Sequence, residues 1–590
     1  MFHLNRLRFA TFIFLILFVV VIGKLFYIQV LQNEKFRIMA ENQQQRTYEI
    51  LADRGKIFAS GSALVTNEEA YLVSANPQLV NDPKETAERI VPILLEDSQF
   101  FSYNQVPQGT EDPKIYLISK IEEILARTDR QWVAVARKVP AAQVGKLRAL
   151  QISGLDFESS SRRFYPEGTL VSSLLGFVAS DEDGEDKGYN GIEGYYDGDL
   201  QGKSGRRTQE ESGSSEPILI GDQIEIPPQN GSDLYLTINR GVQAALERKI
   251  AEGVVRYGAK SGAFVVLEPK TGKVLAMGSY PSFDPGNFSP LLTAEDKESK
   301  YQKEFRNLSI ATTYEPGSVM KGVTLSAALD SGKIETSWTF DDNGPLILGE
   351  TKIDTWDGKH FGPGQTLSQL LQKSNNVGAA KLAKEAVGAE TLRSYFLNFG
   401  FGSRLGVDLE GEEAGLVKKL KEWRPVDLAT AGFGQGVGVT PLQMAAAYGA
   451  IANDGILMKS MVVEKIVDQD GREVTLDPTP IHRVISSETS DVMVELLRSA
   501  VEGGESAVLR DLNYRVSGKT GTAQIPVGDK YDPNKTNVTF VGFPVKDRSF
   551  VMLIRLDEPT TSTYSATTVV PLWVETFREI APLFGISPDR

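Results

Sequence analysis

The sequence contains no cysteine. Disulfide frameworks, zinc–thiolate sites, iron–sulfur clusters and thiol nucleophiles are therefore excluded. Histidine is scarce, and His3, His360 and His482 are the full complement. His3 sits before an apolar run, so a multi-histidine metal centre is excluded. A Ser-His-Asp hydrolase would have to rely on His360 or His482. Excess positive charge is also lacking: 63 Lys and Arg face 77 Asp and Glu, for a net charge of −14 and a pI of about 5.1. Phosphate-rich partners need a concentrated basic surface, so this balance argues against nucleic acid. What is present is globular in composition, with 41% hydrophobic and 24% charged residues over 590 positions, enough for several domains.

The longest uncharged apolar run is near the N-terminus. Residues Phe9 to Gly23 carry no charge, and after Lys24 the apolar character continues to Leu31. That length spans a hydrocarbon core of about 30 Å when Lys24 extends toward the interface. Arg6 and Arg8 precede the run, which predicts a cytoplasmic tail at 1–8, an anchor at 9–31 and the remainder outside the cytoplasm. A cleaved signal peptide is the competing reading. Lys24, Phe26, Tyr27 and Gln29 follow the run in place of a small-x-small cleavage site, so an uncleaved anchor is expected.

Residues 32–52 are polar with helical spacing and read as a stalk. From Asp53 the pattern is mixed α/β, with a strand at Ala70–Val73 and helices near 113–127 and 139–150. Gly, Ser, Asp and Glu dominate 180–232, which predicts long turns and hairpins and a domain boundary near 230. Beyond it, strands are expected at 233–238, 262–267, 274–277, 537–543 and 549–555. Helices are expected at 240–252, 317–331, 376–387, 440–453, 487–502 and 570–582. A sheet built from both ends of this region, with helices between, is an α+β layout.

Ser318-Val-Met-Lys321 follows Pro316-Gly317 and opens an apolar helical stretch. A serine at a helix start meets free backbone N–H groups and the positive end of the helix dipole. A lysine three residues later lies on the same face, and a desolvated lysine can take the serine proton. The bland reading is an N-cap serine beside a solvated lysine. This is the only S-x-x-K in the chain, but its partners carry the argument. Ser374-Asn375-Asn376 supplies a second hydroxyl to relay a proton and an amide to bind a peptide carbonyl, although Ser and Asn also favour plain helix caps. The same S-x-N pattern occurs at Ser74–Asn76 and Ser102–Asn104, both upstream of Ser318. Lys519-Thr520-Gly521-Thr522 offers a cation, two hydroxyls and a sterically bare position on a strand edge, suited to binding an extended peptide. An earlier K-T-G, Lys270-Thr271-Gly272, lies between two predicted strands and reads as a hairpin turn.

In this order, S-x-x-K, S-x-N and K-T-G-T resemble the signature of penicillin-binding proteins and serine β-lactamases. The stretch Gly262 to Met277, the segment Tyr280-Pro-Ser-Phe-Asp-Pro285, and Gly434-Gln-Gly436 with Val439-Thr-Pro-Leu-Gln443 resemble the transpeptidase region of those proteins. Arg54-Gly55, Tyr165-Pro166 and Gly191-Ile-Glu-Gly194 resemble the non-catalytic pedestal of the monofunctional class B members. The resemblance covers most of the chain, strongly in the catalytic half and more loosely in the pedestal. It implies a single anchor at 9–31, a stalk at 32–52, an elongated dimerisation-like pedestal at 53–231 and a β-lactamase-like transpeptidase domain at 232–590, its central antiparallel sheet flanked by helices. Gln372-Lys-Ser-Asn-Asn-Val-Gly378 is most similar to the division-specific, FtsI-like branch; the elongation branch is the alternative. That branch usually has a second Ser where this chain has Asn375, at the variable position of the motif.

The resemblance further implies a mechanism. Ser318 is the nucleophile toward the penultimate D-Ala of a peptidoglycan stem peptide, and Lys321 its base. Ser374 and Lys519 assist proton transfer to the departing D-Ala. Asn376, Thr520, Gly521 and Thr522 bind substrate, and the N–H groups of Ser318 and Thr522 form the oxyanion hole. No metal or cofactor is implied. The implied partners are D-Ala-D-Ala stem peptides, β-lactams, a membrane glycosyltransferase and division proteins, with the catalytic domain on the outer side of the plasma membrane at the septum. With lysine as the base, His360 and His482 are left as ordinary surface or core residues. Hydrolysis by a β-lactamase or carboxypeptidase is disfavoured because no glutamate suited to activating water stands out. A pure scaffold has no use for three intact motifs, and no glycosyltransferase signature precedes the transpeptidase region.

Overall fold

The computed structural model describes residues 2–104, 110, 112–180, 186–210, 223–288, 305–504, 506–528 and 530–589. They form two units, residues 1–53 with 202–231 and residues 54–201 with 232–590.

In the first unit the helix Phe2–Phe26 continues through one wide turn, Tyr27–Leu31, into the helix Asn33–Gln44. The stretch Asn5–Leu31 has a mean hydropathy of 2.7 and none of it is buried, so it is long and apolar enough to cross a membrane. The chain then forms the strand Gln45–Ile50, which pairs antiparallel with Gly205–Glu210; that strand pairs in turn with Gln223–Ile226. The expected stalk is thus part helix and part strand. Hairpin character appears at 205–226 as expected, while 181–185 and 211–222 lie outside the described residues.

The second unit holds a seven-stranded sheet centred on the long strand Ser62–Ala75, which pairs with Ile57–Ala59, Val133–Pro140 and Leu155–Phe164. Ile57–Ala59 also pairs in parallel with Asp233–Leu236, and that strand pairs antiparallel with Val463–Val467. The backbone ladder therefore runs without a break between residues on either side of the expected boundary near 230. Two of the family-like pedestal motifs meet inside this unit. Arg54 and Arg163 each donate to the fully buried carboxylate of Glu193 at 2.7 Å, and Arg54 also reaches Asp197 at 2.7 Å. Burial opposes ionisation of Glu193, but Arg163 and Arg54 outweigh it and hold the carboxyl below its usual range.

In the region after Ser232 we label α1 (Arg240–Tyr257), β1 (Ser261–Leu267), β2 (Val274–Tyr280), α2 (Met320–Asp330), α3 (Pro441–Ala452), α4 (Ser487–Glu502), β3 (Val516–Val527), β4 (Lys530–Pro544), β5 (Val551–Asp557) and α5 (Val569–Ile580). The strands form one antiparallel sheet in the order β2-β1-β5-β4-β3. Their near-continuous apolar runs follow from burial on both faces. Phe264, Val266, Met552, Ile554, Val538 and Phe540 point to one face, where α1 and α5 pack. Val265, Leu267, Val551, Leu553, Val541 and Phe543 point to the other, beneath α3 and α4. Trp573 of α5 is fully buried and its indole N–H donates to the Met552 carbonyl at 2.9 Å. The early K-T-G is the β1–β2 hairpin turn, with Gly272 at φ +76°. The important consequence for function is that β3 ends the sheet, with no further strand on one of its edges among the described residues.

Glu193→Gln removes one buried charge and leaves Arg54 and Arg163 without their shared partner. The expected loss is about 3 kcal/mol or more, read as a lower unfolding midpoint. Because the native Glu193 value lies below the unfolded value of 4.5, its contribution is complete above that pH and fades as pH falls through the native value. An unchanged midpoint in the variant would contradict this.

Candidate active site

Ser318 lies in the tight turn Gly317–Val319 that runs directly into α2. Gly317 takes φ +57°, a conformation costly for residues with a Cβ, and this sets the sharp entry. The helix that follows is buried from Met320 to Ala328, so Lys321 is carried into the interior with no exposed surface. Tyr448 of α3 donates to the Val319 carbonyl at 2.8 Å and ties the Ser318 turn to the core. The start of α3 explains the Thr440-Pro-Leu-Gln443 motif: Thr440 and Gln443 form a reciprocal capping box with Pro441 in the first turn.

The three motifs converge on the Lys321 amine. Its Nζ lies 2.9 Å from Ser318 Oγ, 2.8 Å from Asn376 Oδ1 and 3.3 Å from Ser374 Oγ, and it donates to the Ser374 carbonyl. The carbonyl of Ser374 and the Oδ1 of Asn376 can only accept. They therefore take two amine hydrogens, and the remaining position is shared between Ser318 Oγ, the nearer, and Ser374 Oγ. Burial, and secondarily the charge of Lys519, push the Lys321 amine well below the ordinary lysine value. A neutral amine carries a lone pair and can accept from a serine hydroxyl at this distance.

Ser374 adopts φ +51° between the helix ending at Gln372 and the helix Asn376–Lys381. The predicted single helix over 376–387 is one short helix followed by a wider turn at Leu382–Val387. Asn375, at the variable position of the motif, is buried. It caps the short helix by accepting from Gly378 N–H at 2.8 Å and donates to Asp342 at 2.7 Å. The side chain at this variable position is thus built into the interior.

Lys519, Thr520, Gly521 and Thr522 lie on β3 as expected. Lys519 Nζ donates to Ser374 Oγ at 3.0 Å and to Thr520 Oγ1 at 3.1 Å, linking the third motif to the second. A Cβ on Gly521 would sit 2.6 Å from the Pro316 carbonyl oxygen, so glycine is required for β3 to approach the Ser318 turn. Thr522 Oγ1 lies 2.9 Å from Ser565 Oγ and accepts from the Ser565 N–H at 3.2 Å.

Two neighbours make contacts that the sequence pattern does not announce. Ser565 reaches the third motif from just before α5. Glu315, three residues before Ser318, accepts from the Gly436 N–H at 2.9 Å and from the hydroxyl of Tyr531 on β4; burial raises its carboxyl above the usual range. Glu315 precedes Pro316-Gly317-Ser318 in a family-like segment, but neither its contacts nor those of Ser565 have a local signal, because they are long-range. Among the described residues, no histidine hydrogen-bonds Ser318 or Lys321.

A serine at a helix entry, a buried lysine against it and a strand edge closing the cleft define a serine–lysine site. Comparison with known proteins agrees. Residues 262–576 match the penicillin binding protein transpeptidase domain, and residues 49–236 match the penicillin-binding protein dimerisation domain. Stage V sporulation protein D of Bacillus subtilis is 32% identical, with 99% of this chain and 87% of that protein covered. The peptidoglycan D,D-transpeptidase FtsI of Escherichia coli is 27% identical, with 96% and 90% covered. Among solved structures, penicillin binding protein 2X from Streptococcus thermophilus gives a TM-score of 0.67 at 22% identity over 92% of this chain and 81% of that one. Penicillin binding protein 3 from Mycobacterium tuberculosis in its apo form gives 0.62 at 28% identity over 73% and 92%. The chain belongs to the penicillin-binding protein transpeptidase family and has the class B form, a dimerisation domain joined to a transpeptidase domain. With its long apolar N-terminal helix it is a membrane-anchored member.

Lys519→Ala removes the positive charge that depresses Lys321. The expected result is a rise in the Lys321 titration midpoint, followed by NMR of a labelled lysine. An unchanged or lower midpoint would contradict the charge argument.

Proposed function

We propose that this chain cross-links peptidoglycan stem peptides as a D,D-transpeptidase through an acyl-enzyme on Ser318. The observation that carries the reading is the placement of the buried Lys321 amine against Ser318 Oγ, held by Ser374 and Asn376. Lys321 takes the hydroxyl proton as Ser318 Oγ bonds to the carbonyl carbon of the penultimate D-Ala. The resulting oxyanion is held by the N–H groups of Ser318 and Thr522, each worth about 3 kcal/mol in the transition state. Collapse breaks the peptide bond, and the departing D-Ala nitrogen receives a proton through Ser374, whose hydroxyl sits between Lys321 and Lys519. An amine from a neighbouring stem peptide then attacks the ester, releases Ser318 and completes the cross-link. Asn376 binds the substrate backbone. Thr520 and Thr522 hold the terminal carboxylate, and Gly521 leaves room for the peptide along the β3 edge. A β-lactam occupies the same place and acylates Ser318.

The setting is part of the same proposal. Residues 1–8 lie in the cytoplasm, 9–31 anchor the chain, 32–52 form the stalk, 53–231 the pedestal and 232–590 the catalytic domain outside the membrane. Similarity to FtsI and the Gln372–Gly378 sequence support septal wall synthesis, with a membrane glycosyltransferase and division proteins as partners. Similarity to the sporulation protein supports a second setting, sporulation, with the same chemistry. Depletion separates them: filamentation marks division, and normal growth with failed sporulation marks the other.

With glycan strands carrying pentapeptide stems, the full chain is expected to form cross-linked dimers with one D-Ala released per link. Ser318→Ala is expected to lose about 10³-fold or more, and Lys321→Ala roughly 10²–10⁴-fold. D-Ala release without dimers would make the enzyme a carboxypeptidase. Full activity in Ser318→Ala would overturn the mechanism.

A further inference from the structure

The family resemblance, with lysine as the base, gives His360 no role, but the fold places it against the second motif. The strand Thr339–Asp342 pairs with Gly362–Thr366, and the chain between them returns His360 to the end of that pair. Asp342 has no exposed surface. Its carboxylate receives the Asn375 side-chain amide at 2.7 Å, the Phe361 N–H at 3.1 Å and His360 Nδ1 at 2.7 Å. The opposite ring nitrogen, Nε2, lies 3.3 Å from Asp354 Oδ1. The carbonyl of Asp354 accepts from the Asn376 side-chain amide at 3.2 Å, and Asn376 Oδ1 in turn faces the Lys321 amine. One imidazole thus bridges the two segments that hold Asn375 and Asn376, the two residues immediately after Ser374.

We propose that His360 is a positioning residue: the Asp342–His360–Asp354 bridge fixes the Ser374-Asn375-Asn376 turn in register with Lys321. Ser374 needs such support. It is a non-glycine residue at φ +51°, a strained conformation that persists only when its surroundings impose it. Asn375 anchors the turn from below through Asp342, and Asn376 anchors it from the side through the Asp354 backbone. The bridge couples the two anchors, so losing it frees the Ser374 hydroxyl and the Asn376 amide together. Small displacements of such groups lower reaction rates by up to about 10²-fold without abolishing binding. The inference rests on the acyl-enzyme reading above.

The test uses the full chain in detergent and a fluorescent penicillin, following the acylation rate at saturating drug, the half-saturating concentration and the fraction of chains labelled. The variants are His360→Phe, His360→Gln, Asn375→Ala and the double His360→Phe/Asn375→Ala. The saturating rate is expected to fall about tenfold or more in His360→Phe and Asn375→Ala, with half-saturation changed by less than about threefold. His360→Gln keeps one donor for Asp342 and is expected to lie between. The double variant is expected to be no slower than the slower single, since both act through one bridge. A merely structural role would lower the labelled fraction and leave the rate of the reacting fraction unchanged, and that result would overturn the proposal. Multiplying effects in the double variant would overturn it too. If His360→Phe fails to fold, a folded His360→Gln at the wild-type rate overturns it and an intermediate rate supports it. A wild-type chain that takes no label would instead defeat the acyl-enzyme reading, and this proposal with it.

Discussion

The site depends on the burial of one lysine amine. Lys321 has no exposed surface, and among the described residues its hydrogen-bond partners all belong to the motifs: the Ser318 hydroxyl, the Ser374 carbonyl and hydroxyl, and the Asn376 side-chain oxygen. A buried ammonium without a carboxylate partner is costly, and the cost is relieved when the proton leaves. The same desolvation that penalises the charged form makes the neutral amine available as a base beside a serine. No histidine is required, which accords with a chain that has only three.

The fold serves this arrangement by bringing three distant segments to one point. The buried helix α2 carries the serine and the lysine. The left-handed turn at Ser374 brings the second hydroxyl in from the side. The edge strand β3 brings Lys519 and the two threonines across the cleft, with Gly521 bare enough to pass the Pro316 carbonyl. The sheet packs on both faces, and among the described residues no further strand covers the outer edge of β3. An extended peptide can then add to that edge by backbone hydrogen bonding.

Much of this was legible in the sequence. S-x-x-K, S-x-N and K-T-G-T named the groups that meet, because their order and local punctuation are short-range signals. Strand and helix positions after Ser232 followed the expected pattern closely, since amphipathic and doubly buried runs differ in period. The early K-T-G was rightly read as a turn, because a Thr-Gly between two apolar runs is hairpin chemistry. Long-range pairings were not legible. Nothing local joins Ile57–Ala59 to Asp233–Leu236, Ser565 to Thr522, or His360 to Asn375. Asn375 shows the limit most plainly: as a letter it occupies a variable position, and in the fold it is a buried cap tied to Asp342.

The most direct test of the account is intact-mass measurement of the full chain after exposure to benzylpenicillin, followed by peptide mapping. The account predicts the gain of one whole drug molecule, retained after the free drug is removed, located on the peptide containing Ser318 and absent from Ser318→Ala. A folded chain that gains no mass, or an adduct on a different residue, would contradict it.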